Sequence, residues 1–141
     1  MSRVVSMRMK DGQFERLERA ARQLNRSPSE AAALLLEESL RRREFLFVEF
    51  RDTPAGRTTF LQGTRIAVWH MVEWARACDG NTAQVAEHLG IPEIQVKYCL
   101  AYAAAYPDEI EAAITDNRWA ADHIQELLPG IEVFHVHASA P

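Results

Sequence analysis

Apolar and polar positions alternate over residues 3–9, close to the start of the chain. One face of this segment carries Val5, Met7 and Met9, and the other carries Val4, Ser6 and Arg8. A period of two residues is typical of a strand with one buried face. The pattern therefore predicts a half-buried β-strand over residues 3–9.

The spacing of apolar positions then changes to that of two amphipathic helices. Asp11 begins the first helix, whose apolar stripe consists of Phe14, Leu17, Ala20, Ala21 and Leu24. The segment Ser27-Pro28-Ser29-Glu30 is a capping box with proline at the first helical position. It predicts a second helix that runs through about Arg43.

A unit of one strand and two short helices needs a second copy of itself. So few residues bury little core, and a lone strand leaves both of its edges unpaired. Pairing the strand with its copy in another chain solves both problems and produces a two-stranded ribbon. The major groove of DNA admits such a ribbon, so we expect a homodimer that presents Ser6 and Arg8 to DNA.

This arrangement, quoted as RVVSMRMKDGQFERL…LNRSPSEAAALLLEESL, resembles the ribbon-helix-helix family of bacterial repressors and antitoxins. The resemblance implies operator binding by the ribbon and phosphate contacts at the start of the second helix. The candidate DNA-binding residues are Arg3, Val4, Ser6, Arg8, Ser27 and Ser29. In the alternative interpretation, Ser6 and Arg8 are solvated residues on a sheet face and Val4 stabilises the ribbon.

The pattern changes again near residue 45. Residues 45–51 and 58–61 favour strands and flank the turn-forming segment 52–56, so they predict a hairpin. Helices are expected over residues 67–78, 82–89 (capped by Thr82), 92–105 and 108–128, and a strand over residues 131–137. The expected fold class is mainly α, a ribbon-helix-helix unit followed by a trihelical unit with a small β-hairpin.

Residues 82–99 have the spacing of a helix-turn-helix. Small Ala86 falls where two helices cross, Gly90 falls at the turn, and Val96 packs the second helix on the first. The exposed residues of the second helix, Glu93, Gln95 and Lys97, carry one positive charge, so a scaffold is expected rather than a DNA-reading helix.

Residues 48–115 are similar to a bacterial family catalogued as domain of unknown function four-three-three. Its motifs are matched by Gly63-Thr64-Arg65-Ile66 and Leu100-Ala101-Tyr102-Ala103, although Ala67 stands where the family usually has proline. We expect a structural role for Arg65, which would tie the hairpin to the helices. The family is commonly encoded beside PIN-like nucleases, and joined to a DNA-binding unit it resembles VapB-type antitoxins. The implied partner is a PIN-like ribonuclease toxin.

Charge is distributed unevenly between the two parts of the chain. Residues 1–45 contain ten Lys/Arg against seven Asp/Glu, whereas residues 46–141 contain six against thirteen. The basic part coincides with the DNA-binding pattern, as the neutralisation of phosphates requires. The acidic part is poorly suited to nucleic acid, so a different partner is expected for it.

The expected domains are a DNA-binding and dimerisation domain over residues 1–45, a winged trihelical domain over residues 46–116, and a terminal segment over residues 117–141. The terminal segment is unusually apolar and is the expected toxin-binding element. Its candidate residues are Arg118, Trp119, Ile131, Val133 and Phe134. Alternatively, the terminal segment packs on the middle domain of its own chain or across the dimer.

The sequence provides little support for a metal site or for catalysis. Two histidines, His135 and His137, share a strand face without a third ligand, so no metal site is expected. Cys78 and Cys99 have no neighbouring ligands, which indicates reduced, buried thiols. No nucleophile and base stand together, so neither catalytic residues nor a cofactor are expected. Without a signal peptide or membrane span, a cytoplasmic protein is expected.

Together these patterns predict a homodimeric antitoxin of a type II toxin-antitoxin system. It would repress its own operon through the ribbon and inhibit a PIN-like ribonuclease through its second part. The alternative is a stand-alone ribbon-helix-helix transcription regulator whose C-terminal domain oligomerises or senses a ligand.

Overall fold

The structure, a computed structural model, describes residues 1–130 and 132. Within them the chain is mainly helical, with one two-stranded antiparallel hairpin, as the sequence predicts. The helices are α1 (Asp11–Leu24), α2 (Pro28–Glu44), α3 (Val68–Ala77), α4 (Thr82–Leu89), α5 (Glu93–Ala105), α6 (Pro107–Asp122) and α7 (Ile124–Leu127), and the strands are β1 (Val48–Thr53) and β2 (Gly56–Leu61). None of these helices is long and apolar enough to cross a membrane.

The chain divides into two compact units, Met1–Glu44 and Phe45–Pro141. The first unit contains α1 and α2, which pack on each other. Asn25 ends α1 in the left-handed conformation, where its backbone N–H bonds back to the last turn. The only fully buried apolar side chains of the first unit, within the described residues, are those of Ala21 and Ala31.

The second unit has a substantial core between the hairpin and helices α3 to α6. The largest fully buried side chain is that of Tyr102 on α5, surrounded by the rings of Phe45, Phe50 and Tyr106 at centroid distances of 5.5, 6.2 and 4.9 Å. Other core residues are Val48, Leu61, Val68, Met71, Val85, Val96, Cys99, Ile110 and Ile114. The hairpin thus covers one side of a layer of helices.

The hairpin begins three residues later than the sequence predicts. Residues 45–47 lie outside the strand, although the Phe47 carbonyl still accepts the Gln62 N–H at 2.7 Å, because Phe47 adopts a positive φ of 69° and the rings of Phe45 and Phe47 pack on helix α5. The strands pair from Val48↔Leu61 to Thr53↔Gly56, so the loop consists of Pro54 and Ala55 alone. The predicted turn over residues 52–56 was therefore too long.

Two helix termini also differ from the prediction. Asn81, not Thr82, caps α4, since its Oδ1 accepts the N–H of Gln84 at 3.1 Å. The predicted helix over residues 108–128 is interrupted at His123, where the backbone leaves the helical conformation. The backbone N–H of His123 bonds to the carbonyl oxygen of Trp119 at 3.1 Å, and the Nδ1 of the ring lies 2.8 Å from the same oxygen.

Candidate nucleic-acid and partner interfaces

The segment ahead of α1 is extended and almost fully exposed. Val4 and Val5 are 93% and 84% exposed and Met7 is 69% exposed, while Ser6 and Arg8 are exposed as well. Residues 1–10 form no strand within the single chain, so pairing with a second copy stays a prediction. Exposure falls from Val5 through Met7 to the half-buried Met9, the face that the alternation assigns to the interior.

The helices of the first unit leave further apolar side chains uncovered. Phe14 on α1 and Leu36 and Leu40 on α2 are each more than two-fifths exposed. A unit whose buried apolar residues are alanines gains little from the removal of apolar surface from water. The exposed faces are therefore available to stabilise an assembly with another chain.

The capping box at the start of α2 is confirmed. The Ser27 Oγ accepts the backbone N–H of Glu30 at 3.2 Å, and the Glu30 Oε2 accepts the N–H of Ser27 at 3.1 Å. Ser27 and Ser29 are both exposed. This reciprocal pair fixes the helix terminus, where the remaining free N–H groups and the positive end of the helix dipole favour an anion.

Helix α5 offers little to DNA. The ammonium of Lys97 lies 3.5 Å from Glu93, whose carboxylate also accepts the Thr82 hydroxyl at 2.6 Å. The hydrogen bond from Thr82, assisted by Lys97, lowers the pKa of Glu93. Ala86 and Val96 are buried and Gly90 is left-handed with a φ of 66°, so these residues form the packed core and turn of the α4–α5 pair.

Arg118 and Trp119, the described candidates for toxin contact, lie side by side on α6. The Arg118 Nη2 is 3.1 Å from the Glu73 carboxylate on α3, so this guanidinium already has an acidic partner. Trp119 is 54% exposed and stacks on His123 at 4.5 Å. Of these two residues, Trp119 therefore gives this surface its exposed apolar area. Leu127 and Leu128, which follow in the sequence, are about half exposed.

The other three toxin-binding candidates, Ile131, Val133 and Phe134, lie outside the described residues, as do the predicted strand over residues 131–137 and both His135 and His137. Among the described residues no group of three His, Cys, Asp or Glu side chains is arranged to hold a metal ion.

Arg65 does not tie the hairpin to the helices as expected, and Arg51 makes contacts within the hairpin and the loop that follows it. The Arg51 Nη2 donates a hydrogen bond to the carbonyl oxygen of Thr64, and its guanidinium carbon lies 3.9 Å from the Phe60 ring centre. The Glu49 carboxylate, 2.9 Å from Nε, neutralises the charge as an ion pair. Arg65 is instead exposed and makes neither an ion pair nor a side-chain hydrogen bond within the described chain.

Both cysteines are free, but their surroundings differ. Cys99 is fully buried among the helices, and this burial raises the pKa of its thiol to about 12. Cys78, at the end of α3, is half-buried. The Cys99 thiol therefore behaves as a small apolar core group.

No family model matches the sequence, and no curated protein or solved structure is significantly similar to it.

Proposed function

We propose that this protein is a dimeric antitoxin that represses its own operon and inhibits a PIN-like ribonuclease toxin. The first unit pairs with its copy through a ribbon-helix-helix arrangement and binds operator DNA. The second unit, a winged trihelical domain, holds the toxin. The observation that carries the proposal is the exposed, alternating segment of residues 3–9 ahead of two helices that lack a core of their own.

DNA binding follows from what this segment would present after pairing. With Val5 and Met7 turned towards the helices, Ser6 and Arg8 would project from the outer face of the ribbon. A guanidinium can donate two hydrogen bonds to the O6 and N7 atoms of guanine. The exposed start of α2, fixed by Ser27, supplies N–H groups suited to a flanking phosphate.

Toxin binding is supported by charge and by exposed apolar surface. The second unit holds thirteen acidic against six basic residues after position 45, which disfavours nucleic acid as its partner. Trp119, Leu127 and Leu128 give its end an exposed apolar surface, the kind of residue set that is enriched in protein interfaces. The proposed partner, a PIN-like ribonuclease, is the one implied by the sequence resemblance of residues 48–115.

The DNA-binding part is tested on a fragment from upstream of the protein's own gene. Arg8→Ala should weaken binding by about 1–3 kcal/mol, the range for a lost bidentate guanine contact. Lys97→Ala serves as the matched control, because its charge is paired with Glu93, and it should bind like the parent. Affinity should also fall steeply with salt. Unchanged binding by a chain without residues 1–10 would exclude the ribbon as the DNA-binding element.

The toxin-binding part is tested by co-expression and co-purification with the product of the neighbouring gene. Trp119→Ala should weaken the complex by about 2 kcal/mol or more if the indole is a central contact. Ile94→Ala is the control, since Ile94 is similarly exposed on α5. If no nuclease co-purifies while operator binding persists, the stand-alone regulator becomes the better assignment.

A further inference from the structure

Arg65 differs from every other cation in the acidic part of the chain. Residues 46–141 contain six Lys/Arg, all within the described residues, and five of them form ion pairs. The pairs are Arg51–Glu49, Arg57–Asp52, Arg76–Glu111, Lys97–Glu93 and Arg118–Glu73. Arg65 alone has no acidic partner there. One positive charge is thus left unneutralised in a unit with an excess of carboxylates.

Arg65 lines a cleft of about 310 Å³ within the second unit. The cleft lies between the hairpin, α3 and α6, and its walls include Thr58, Phe60, Trp69, His70 and Asn117. None of its lining residues is acidic. Three other clefts of the same unit each contain a carboxylate, that of Glu109, Glu111 or Glu73. The Arg65 cleft therefore combines a free cation with acid-free walls.

The cleft also has spare hydrogen-bond donors and flat surfaces. Trp69 makes no hydrogen bond through its indole N–H in the described part of the chain, and its ring stacks on His70 at 5.2 Å. Asn117 donates one amide N–H to the carbonyl of Ala113 at 2.7 Å, which leaves its second N–H available. Phe60 adds a second aromatic ring to the lining, with one face already covered by the Arg51 guanidinium. These groups suit an anion that carries a flat, apolar body.

We propose that the Arg65 cleft binds a small carboxylic acid with an aromatic or otherwise flat body. The two parallel N–H groups of a guanidinium match the two oxygens of a carboxylate. A single positive charge balances a monoanion, whereas a multiply charged phosphate would be repelled by the surrounding acidic unit. The volume of about 310 Å³ lies at the lower end of ligand pockets, roughly 300–1,000 Å³, which fits a small molecule.

The site does not depend on the antitoxin assignment. A bound acid would occupy the second unit equally in a toxin inhibitor and in a ligand-sensing regulator. If no acid binds, the tests of operator binding and toxin binding still decide the proposed function independently.

The experiment is a titration of the full-length, ¹⁵N-labelled protein followed by NMR. Benzoate and phenylacetate should produce saturable shifts in the Trp69 indole and Asn117 side-chain signals. Benzamide, which has the same shape without the charge, should bind about tenfold more weakly or worse. Inorganic phosphate should also bind more weakly than benzoate. A short acidic peptide ending in an aromatic residue serves as the protein-derived source of the same chemistry.

Variants connect the shifts to Arg65. Arg65→Gln should weaken benzoate binding by about tenfold or more, since a hydrogen-bonded ion pair is lost. The benzoate affinity of Arg65→Lys should lie between those of the parent and Arg65→Gln, because an ammonium keeps the charge and loses the paired geometry. Arg76→Gln, an equal change at an exposed arginine already paired with Glu111, should bind like the parent. Arg65→Lys also provides the test if Arg65→Gln does not fold.

Three results would overturn the proposal. The first is the absence of saturable binding by either acid, and the second is equal binding by the Arg65 variants and the parent. The third is binding of the peptide or of phosphate in preference to the small acids, which would replace the assigned ligand class.

Discussion

The two units of this chain differ in where their apolar side chains lie. The second unit encloses Leu61, Met71 and Tyr102 completely and needs no other chain to do so. The first unit buries two alanines and exposes Val5 and Met7. Hydrophobic burial is the main favourable contribution to folding, so the second unit contains its own source of stability and the first does not. The comparison predicts that the first unit depends on assembly and that the second folds alone.

The largest expected effect is on the first unit. Met7→Pro would remove an inward side chain and a ribbon hydrogen bond together, so α1 and α2 should lose their dimer and unfold. Sedimentation should then show a monomer, and circular dichroism should show the loss of the helical signal of the first unit only. Ser2→Pro, ahead of the predicted ribbon, is the matched control and should remain dimeric. A monomeric Met7→Pro protein with both helices intact would show that the first unit does not need a second copy to fold.

The second prediction concerns the core of the second unit. Leu61→Ala deletes a fully buried side chain of β2 and should lower the free energy of unfolding of the second unit by about 2–5 kcal/mol. Ile94→Ala, at a half-exposed position of α5, should change it by about 0.5 kcal/mol or less. Urea unfolding measures both. Operator binding by Leu61→Ala should be unchanged; a parallel loss would show that the units are energetically coupled.

Features that depend on residues close together in the sequence were predictable from the sequence. The capping box of Ser27 and Glu30, the helices and the left-handed turn at Gly90 all depend on residues within one turn of each other. The start of the hairpin could not be obtained in this way. Phe45 and Phe47 favour strands by themselves, but their rings pack on α5 and so end the ladder at Val48.

The candidate site was predictable only in part for a similar reason. Exposure of Ser6 and Arg8 follows from their alternating pattern, whereas for Trp119 the sequence left open whether the ring is exposed or packed on its own chain. The roles of Arg51 and Arg65 do not follow from a pattern, because the sequence does not show which arginine reaches Thr64 and Phe60. Arg65 is marked in the sequence only by its place in the Gly63-Thr64-Arg65-Ile66 motif, and nothing there separates it from the arginines that form ion pairs.

A third, smaller effect concerns pH. Burial raises the pKa of the Cys99 thiol to about 12, against an ordinary value of 9.0. Above about pH 9 the unfolded chain therefore releases this proton while the folded chain retains it. Stability should fall with rising pH by at most about 1.4 kcal/mol per unit over this window. Cys99→Ala should have a flatter profile between pH 9 and about 10 in urea unfolding, whereas Cys78→Ala should keep the parent's slope. Identical slopes in all three proteins would contradict the assignment.

The smallest expected effect is at the helix terminus of the first unit. Ser27→Ala removes the exposed acceptor of the Glu30 N–H and should destabilise each copy by about 1 kcal/mol. Ser29→Ala removes no cap and should leave thermal stability unchanged. The informative variant is Ser27→Asp, because aspartate restores the cap and places a negative charge where a phosphate is expected. It should unfold like the parent and bind operator DNA more weakly than Ser27→Ala. If Ser27→Asp binds as tightly as the parent, the start of α2 does not contact the DNA backbone, and the ribbon alone holds the operator.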